Sequence, residues 1–335
     1  MSEPVYDLVA IGNAMVDVLA HTTEEFIAEQ DEKCGMKKGS MNLIDERRAV
    51  ELYGEMDAGI EVSGGSAGNT MAGFASFGGK GAYIGKTAND QLGDVYRHDM
   101  KAMGVTMNTV PLALGAPTGR CLVLVTPDGQ RTMNTFLGAG VELSEADIDE
   151  NLIASAKVTY LEGYLFDPEQ AKAAFKKAAQ IAHDAGHRVS LSLSDSFCVD
   201  RHREDFLNLV EHHVDILFAN EDEIKSLYQV ETFEEALEIV KGKCEIAALT
   251  RSEKGSVIVR GDEVVEVAGV KADVVDTTGA GDQYAAGFLF GFTQGMDMAT
   301  CGRLGTLAAT EVISHMGPRP EVSYADFIEQ AKAAA

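Results

Sequence analysis

From about residue 140 onward, short apolar runs alternate with segments of helical period, and this alternation limits the possible folds more than any other feature. Strands are expected at Val158–Leu161, Val189–Leu193, Ile216–Phe218, Ile246–Thr250 and Ser256–Arg260. Helices are expected near 145–155, 168–185, 201–212, 221–228, 232–241, 281–294 and 297–314. Such alternation builds a mainly parallel sheet with helices on both faces. Ligands in such sheets bind beyond the carboxyl ends of the strands.

The first 140 residues follow a different pattern. A strand over Val5–Ile11 closes at Gly12-Asn13, and Val16–Leu19 and Met41–Ile44 read as short strands before a charged helix at 45–57. Gly64-Gly65-Ser66-Ala67-Gly68-Asn69 opens a helix of small residues reaching Phe77, followed by a strand at 81–85 and a helix at 91–103. Residues 118–126 and 131–137 flank Pro127-Asp128-Gly129, a hairpin signal with β-rich arms. These hairpin pieces do not fit a parallel sheet. They are expected to form a small β-sheet lid, from about 13–63 and 109–137, within one α/β domain spanning 1–335. No linker, repeat or low-complexity tract interrupts the chain, which ends in an alanine-rich tail from Ala331 to Ala335.

A net charge of −25 argues against nucleic-acid backbones and anionic membrane surfaces as the main partners. It also requires any phosphate-handling site to be offset locally by cations, a metal or helix N-termini. Five scattered cysteines, Cys34, Cys121, Cys198, Cys244 and Cys301, show no CxxC spacing and suggest neither a disulfide framework nor a zinc site. Met1-Ser2-Glu3-Pro4 lacks the basic region of a signal peptide, and no apolar run is long enough to span a bilayer. A cytoplasmic, soluble protein is expected.

The stretch from Val274-Val275 through Asp276-Thr277-Thr278-Gly279-Ala280-Gly281-Asp282 reads as strand, glycine turn and helix start. Free N–H groups in a helix's first turn make an anion site, and Gly279 and Gly281 would keep it unobstructed. Asp282 beside such a site suits a base that takes a proton from an alcohol. It equally suits an acid complementing the helix dipole. Asn220-Glu221-Asp222-Glu223 follows an apolar strand and fits either Mg²⁺ held through its waters or an ordinary helix N-cap. Asn13 and Asp17 lie just past the first strand, where an amide and a carboxylate can hold a diol, and Asn69 offers both donor and acceptor. Arg131 can reach a phosphate as a planar fork. His183 and His187 share a helix face but lack a third metal ligand, so they read as surface histidines. Gly81-Ala82-Tyr83-Ile84-Gly85-Lys86-Thr87 is one residue short of a Walker A loop, and no GxGxxG is present.

Taken together, these segments resemble the PfkB-type carbohydrate and nucleoside kinases, which have the ribokinase fold. Asp276–Asp282 is similar to that family's C-terminal signature, Gly64–Asn69 to its N-terminal one, and Asn220–Glu223 to its NxxE element, all in the family's order. Within the family the likeness is greatest to adenosine kinases. It runs through Gly12-Asn13-Ala14-Met15-Val16-Asp17, Pro117-Thr118-Gly119-Arg120-Cys121, and Leu193-Ser194-Asp195-Ser196-Phe197.

The resemblance implies Asp282 as catalytic base, with Gly279, Ala280 and Gly281 as the anion hole. It implies Asn13, Asp17, Gly64, Gly65 and Asn69 around sugar hydroxyls, Phe197 against a base, and Arg131 near phosphate. Asn220, Thr250 and Gly255 would contact ATP, and Glu223 would hold Mg²⁺ through water. Asp276 and Thr278 match positions near a monovalent-cation (K⁺) site in relatives. Two departures stand out. Ser252 replaces the first glycine of the nucleotide-loop pattern, and Gln283-Tyr284 follows the catalytic acid where a small residue is usual. The implied activity is transfer of the ATP γ-phosphoryl group to a primary hydroxyl of a nucleoside, adenosine above others. The alternatives are a kinase of ribose, fructose or a keto-deoxy sugar acid, and a non-catalytic nucleotide-binding regulator. Expected partners are the small-molecule substrate and ATP, with the oligomeric state left open.

Overall fold

The computed structural model describes residues 4–166 and 168–333. Eight strands form the main sheet in the spatial order β13 (Glu263–Val267), β12 (Ser256–Arg260), β11 (Ile246–Thr250), β10 (Ile216–Asn220), β9 (Arg188–Ser192), β8 (Ala156–Glu162), β1 (Tyr6–Ile11) and β5 (Gly81–Ile84). From β5 to β11 every pairing is parallel, while β12 and β13 close one edge as an antiparallel meander.

Strand β1 shows why apolar runs suit this sheet. Val9 and Ile11 enter one core and Leu8 and Ala10 the other, all fully buried. Side chains alternate between faces, so a strand covered by helices on both sides must be apolar throughout. The first core packs against α5 (Glu150–Ala154), α6 (Glu169–Asp184), α7 (Ser196–His212), α8 (Glu221–Tyr228) and α9 (Phe233–Val240). The second packs against α3 (Ser66–Ser76), α4 (Gln91–Ala102), α10 (Ala280–Thr293), α11 (Met298–Val312) and α12 (Ala325–Ala333).

A second sheet of five strands has the order β3 (Met41–Leu43), β7 (Arg131–Gly138), β6 (Thr118–Val125), β2 (Met15–His21) and β4 (Ile60–Ser63). Its outer face is covered by the chain itself. Val18, Leu122 and Leu124 pack with Ile27 of α1 (Glu24–Cys34) and Leu52 of α2 (Glu46–Glu55). The inner face carries Met15, Leu19, Cys121, Val123 and Val125.

Several expected elements differ. Val274 and Val275 belong to no strand and are 58% and 45% exposed, because the meander has already closed that edge of the sheet. The Val275 N–H bonds instead to the Ile313 carbonyl, at 2.8 Å. Helix α7 begins at Ser196 rather than 201, because Asp195 caps it by accepting from the Cys198 N–H at 2.6 Å. The helix expected near 145–155 divides into a 3₁₀ turn at Glu145–Asp147 and α5. Helix α1 is an addition, with its Thr23 N-cap and left-handed Gly35 at its end. So are β4, β13 and α12, the last taking in Ala331–Ala333, while Ala334 and Ala335 lie outside the described residues. Among the described residues no helix is long and apolar enough to cross a membrane.

Helices α10 and α11 touch backbone to backbone. A Cβ on Gly287 would lie 2.5 Å from the Leu304 carbonyl, and one on Gly305 2.7 Å from the Tyr284 carbonyl oxygen. This contact sets the height of α10 and therefore of its N-terminus. Gly287→Ala is expected to push the helices apart, costing about 1–3 kcal/mol in denaturant unfolding and lowering turnover with it.

Candidate active site

A cleft of about 770 Å³ opens between the carboxyl ends of β9, β10 and β11 and the inner face of the smaller sheet. The N-terminus of α10 forms its floor. Gly279, at φ +79°, is the N-cap, and a Cβ there would lie 2.7 Å from Pro318, so only glycine fits. A Cβ on Gly281 would meet nothing within 4 Å, which leaves that side of the turn open. The N–H groups of Gly281 and Asp282 find no acceptor among the described residues. Unpaired amides at an open helix start are the chemistry of an anion site.

Asp282 sits beside these amides, tied to α3. Ser66 Oγ donates to its Oδ1 at 2.6 Å and Asn69 Nδ2 to its Oδ2 at 3.0 Å. Burial raises its pKa, and the hydrogen bonds from Ser66 and Asn69, then the charges of Arg131 and Arg319, draw it back. Arg131, on β7, donates to the Thr277 carbonyl at 3.1 Å and so bridges the smaller sheet to the loop before α10.

Asn13, Asp17, Gly65 and Asn69 line one end of the cleft together. Gly64 is not among the lining residues. It makes room, since a Cβ there would lie 2.0 Å from Asp17 Oδ2. Gly65, at φ +77°, brings its backbone so close to the Asn13 carbonyl that a Cβ would lie 2.1 Å from it. Glu162, at the end of β8, is a site residue that the sequence reading missed. It accepts from the Asn13 Nδ2 at 2.7 Å, from the Asn13 N–H at 3.3 Å and from the Ala67 N–H at 2.8 Å. With its Nδ2 engaged, Asn13 presents an acceptor oxygen. Burial pushes both Asp17 and Glu162 up to about 7.

On the opposite side, Asn220 and Glu223 form a reciprocal capping box, with Asn220 Nδ2 donating to Glu223 Oε1 at 2.6 Å. Both line the cleft, and burial pushes Glu223 up to about 7. The N-cap reading and the ligand reading therefore describe the same two residues. Thr250 and Gly255 also line this side, with Ser252 between them. Ser252 has φ +50°, so it keeps the left-handed turn that the replaced glycine would adopt freely. Asp276 is fully buried and accepts from Thr278 N–H (2.9 Å), Thr278 Oγ1 (2.6 Å) and Gly317 N–H (2.9 Å). Among the described residues no cluster of three or more His, Cys, Asp or Glu side chains could hold a metal ion.

The structure does not bring Phe197 to the site. It lies in the first turn of α7, 56% exposed, and is not among the residues lining the cleft. The early start of α7 at Ser196 turns it outward, while Ser192, Ser194 and Tyr164 line the cleft instead. Gln283, the departure after Asp282, is buried and donates to the carbonyls of Asn69 and Pro318 at 3.0 and 2.9 Å, fastening α10 to α3. Tyr284 donates to Ser256 Oγ at 2.8 Å. His183 pairs with Asp215, at 2.9 Å.

A helix start with open amides, a buried carboxylate beside it and a cluster of polar side chains within reach, all at the strand ends of an α/β sheet, are the arrangement of an ATP-dependent kinase. Residues 7–323 match the family model described as pfkB family carbohydrate kinase, and the chain belongs to that family. It is similar to the solved structure of an adenosine kinase from Sinorhizobium meliloti, with 52% identity and a TM-score of 0.92 over 98% of this chain and 99% of that one. It is also similar to a probable sugar kinase protein from Rhizobium etli CFN 42, with 49% identity and a TM-score of 0.94 over the same shares. The adenosine kinase of Saccharomyces cerevisiae is 28% identical over 93% of this chain and 96% of its own length.

Asp282→Ala is expected to lower kcat by roughly 10²–10⁴-fold with near-UV circular dichroism unchanged. The ionised cleft carboxylates set a second expectation: kcat/KM should fall as pH drops through about 7, where Asp17 and Glu162 take up protons. Stability runs the other way. Through Asp17 and Glu162 the folded chain binds more protons than the unfolded one between roughly pH 4 and 7, so the contribution of these two groups to stability falls as pH rises through that window. Asp17→Asn is expected to flatten this fall in Tm.

Proposed function

We propose that the protein transfers the γ-phosphoryl group of ATP to a primary hydroxyl of a ribose-containing nucleoside, adenosine first. The observation that carries this reading is the contrast between the two walls of the cleft. One end gathers Asn13, Asp17 and Glu162, suited to sugar hydroxyls, while the inner face of the smaller sheet presents Met15, Met41, Cys121, Val123, Met133 and Leu137. An apolar wall next to a few fixed polar groups suits a nucleobase joined to a ribose. The likeness to the Sinorhizobium meliloti adenosine kinase supports the same choice.

In this mechanism Asp282, its oxygens oriented by Ser66 and Asn69, receives the proton of the attacking hydroxyl. The new O–P bond forms as the bond to the ADP leaving group breaks. The open amides of Gly281 and Asp282 hold the equatorial oxygens in place, the Ala280 N–H being engaged by the Thr277 carbonyl, and Arg131 adds positive charge. Glu223, a buried carboxylate facing the cleft beside Asn220, fits a role in holding Mg²⁺ through water. That ion would neutralise phosphate charge. Both oxygens of Asp276 are already engaged by Thr278 and Gly317, so the pair fits shaping of a K⁺ site and no step is assigned to it. The smaller sheet, from about 13–63 and 109–137, would act as a lid excluding water. A locally positive floor reconciles phosphate binding with a net charge of −25.

A kinase of a free sugar is the second reading. The similarity to the Rhizobium etli protein favours it, as do the polar Thr135, Ser192 and Ser194 in the cleft, which would suit further hydroxyls. A coupled ATP-consumption assay across adenosine, inosine, guanosine, ribose and fructose, with and without K⁺, separates the two. Adenosine-dependent ADP release with kcat/KM at least tenfold above ribose is the expected result. ADP release with sugars alone would overturn the nucleoside reading.

A further inference from the structure

The register of the smaller sheet lines up three residues across its inner face. Asp17 of β2 stands opposite Cys121 of β6, and Cys121 opposite Thr135 of β7. All three are buried, and all three line the cleft. The adjoining row, Leu19, Val123, Met133 and Met41, is apolar throughout, and Leu137 flanks Thr135 on its other side. Arg131, on the same wall, is drawn to the Thr277 carbonyl beside the start of α10. That leaves Asp17 and Thr135 as the two strong hydrogen-bonding side chains that the middle of this wall offers. The hydroxyls of Ser192 and Ser194 belong to the opposite wall, at and just beyond the end of β9.

Neighbouring strands lie about 4.8 Å apart, so Asp17 and Thr135, two strands removed, stand about 10 Å apart along one line. That span suits a nucleoside held by a ribose hydroxyl at one end and by the far edge of its base at the other, with Cys121 between. The state of the Thr135 hydroxyl then decides which base fits. Its Oγ1 donates to Cys121 Sγ at 3.3 Å. Burial pushes the Cys121 thiol up to about 12, so the sulfur stays uncharged. A hydroxyl that has given its one proton to a neighbour has only lone pairs left for a ligand. Such a group meets an amino group well and a carbonyl oxygen badly.

We propose that Thr135 is the residue that selects the base: an acceptor, two strands from Asp17, that takes a hydrogen bond from the 6-amino group of adenosine and turns lone pairs toward the 6-carbonyl oxygen of inosine or guanosine. The assignment rests on the nucleoside reading above and deepens it. A carbonyl set against an acceptor leaves both without a partner, so discrimination of roughly 10–100-fold between amino and carbonyl purines is expected.

The test measures KM and kcat at saturating ATP, and Kd by isothermal titration, for adenosine, inosine and purine riboside, which has no 6-substituent. The wild type should prefer adenosine to inosine by at least about tenfold in kcat/KM. Thr135→Val replaces the hydroxyl with a methyl group. It is expected to raise KM and Kd for adenosine about tenfold with little change in kcat, bringing the preference close to unity, while purine riboside is affected by less than about threefold. Thr135→Ser restores the hydroxyl and should restore the preference. Cys121→Ala takes away the acceptor of the Thr135 proton and frees the hydroxyl to donate, so the preference should fall chiefly through a gain with inosine. A T135V enzyme that keeps the wild-type preference, or that loses adenosine and purine riboside equally, overturns the assignment and leaves the nucleoside reading standing. Should T135V fail to fold, C121A decides: an unchanged preference in it overturns the assignment. A wild type that phosphorylates ribose or fructose and neither binds nor phosphorylates any nucleoside overturns both.

Discussion

Ser66 and Asn69, both near the start of α3, hold the two oxygens of Asp282 in the first turn of α10. Two helix N-termini therefore meet at one carboxylate. Each N-terminus carries partial positive charge, and together they make a place where a buried acid can remain charged inside an acidic protein. The rest of the architecture serves this meeting point. The Gly287 and Gly305 contacts set the height of α10 against α11, Gln283 ties α10 to Asn69 and Pro318, and Glu162 fixes the start of α3 through the Ala67 amide. Displacing either helix would separate the Asp282 carboxylate from the groups that orient it.

The cleft sets stability against function. Asp17, Glu162 and Glu223 are all buried, and burial pushes each up to about 7. Ionising them costs folding energy, yet the proposed hydroxyl binding and metal positioning would call for the ionised forms. The chain offsets part of that cost with fixed donors. Asn13, Ala67 and Asn220 bond to carboxylates through backbone or amide N–H groups, which stabilise charge without adding a mobile cation. Arg131 reaches the same region from the smaller sheet, so bringing the two sheets together also brings positive charge to the floor.

Much of this was legible in the sequence because its periodicities are clean. Strand β1 alternates between two cores, and its run of apolar residues could belong only to a doubly covered strand. The glycine motifs were legible for a similar reason: at Gly64, Gly65 and Gly279 a side chain has nowhere to go, and that leaves a mark in the sequence. Glu162 was not legible, since one acid ending an apolar strand looks like any strand terminus, and only the fold brings it across 149 positions to Asn13. Phe197 was misplaced because the resemblance assigned its role while the local cap at Asp195 decided its direction. Val274 and Val275 have strand propensity, but no neighbouring strand was left to pair with them.

The central claim is geometric: the acceptor's primary hydroxyl meets Asp282 over the open amides of α10. A crystal structure with adenosine and a non-hydrolysable ATP analogue tests it most directly. The account predicts that hydroxyl within about 2.6–3.2 Å of an Asp282 oxygen, with the γ-phosphoryl oxygens at the Gly281 and Asp282 N–H groups. A nucleoside bound with its primary hydroxyl pointing away from Asp282, or phosphates seated elsewhere in the cleft, would contradict it.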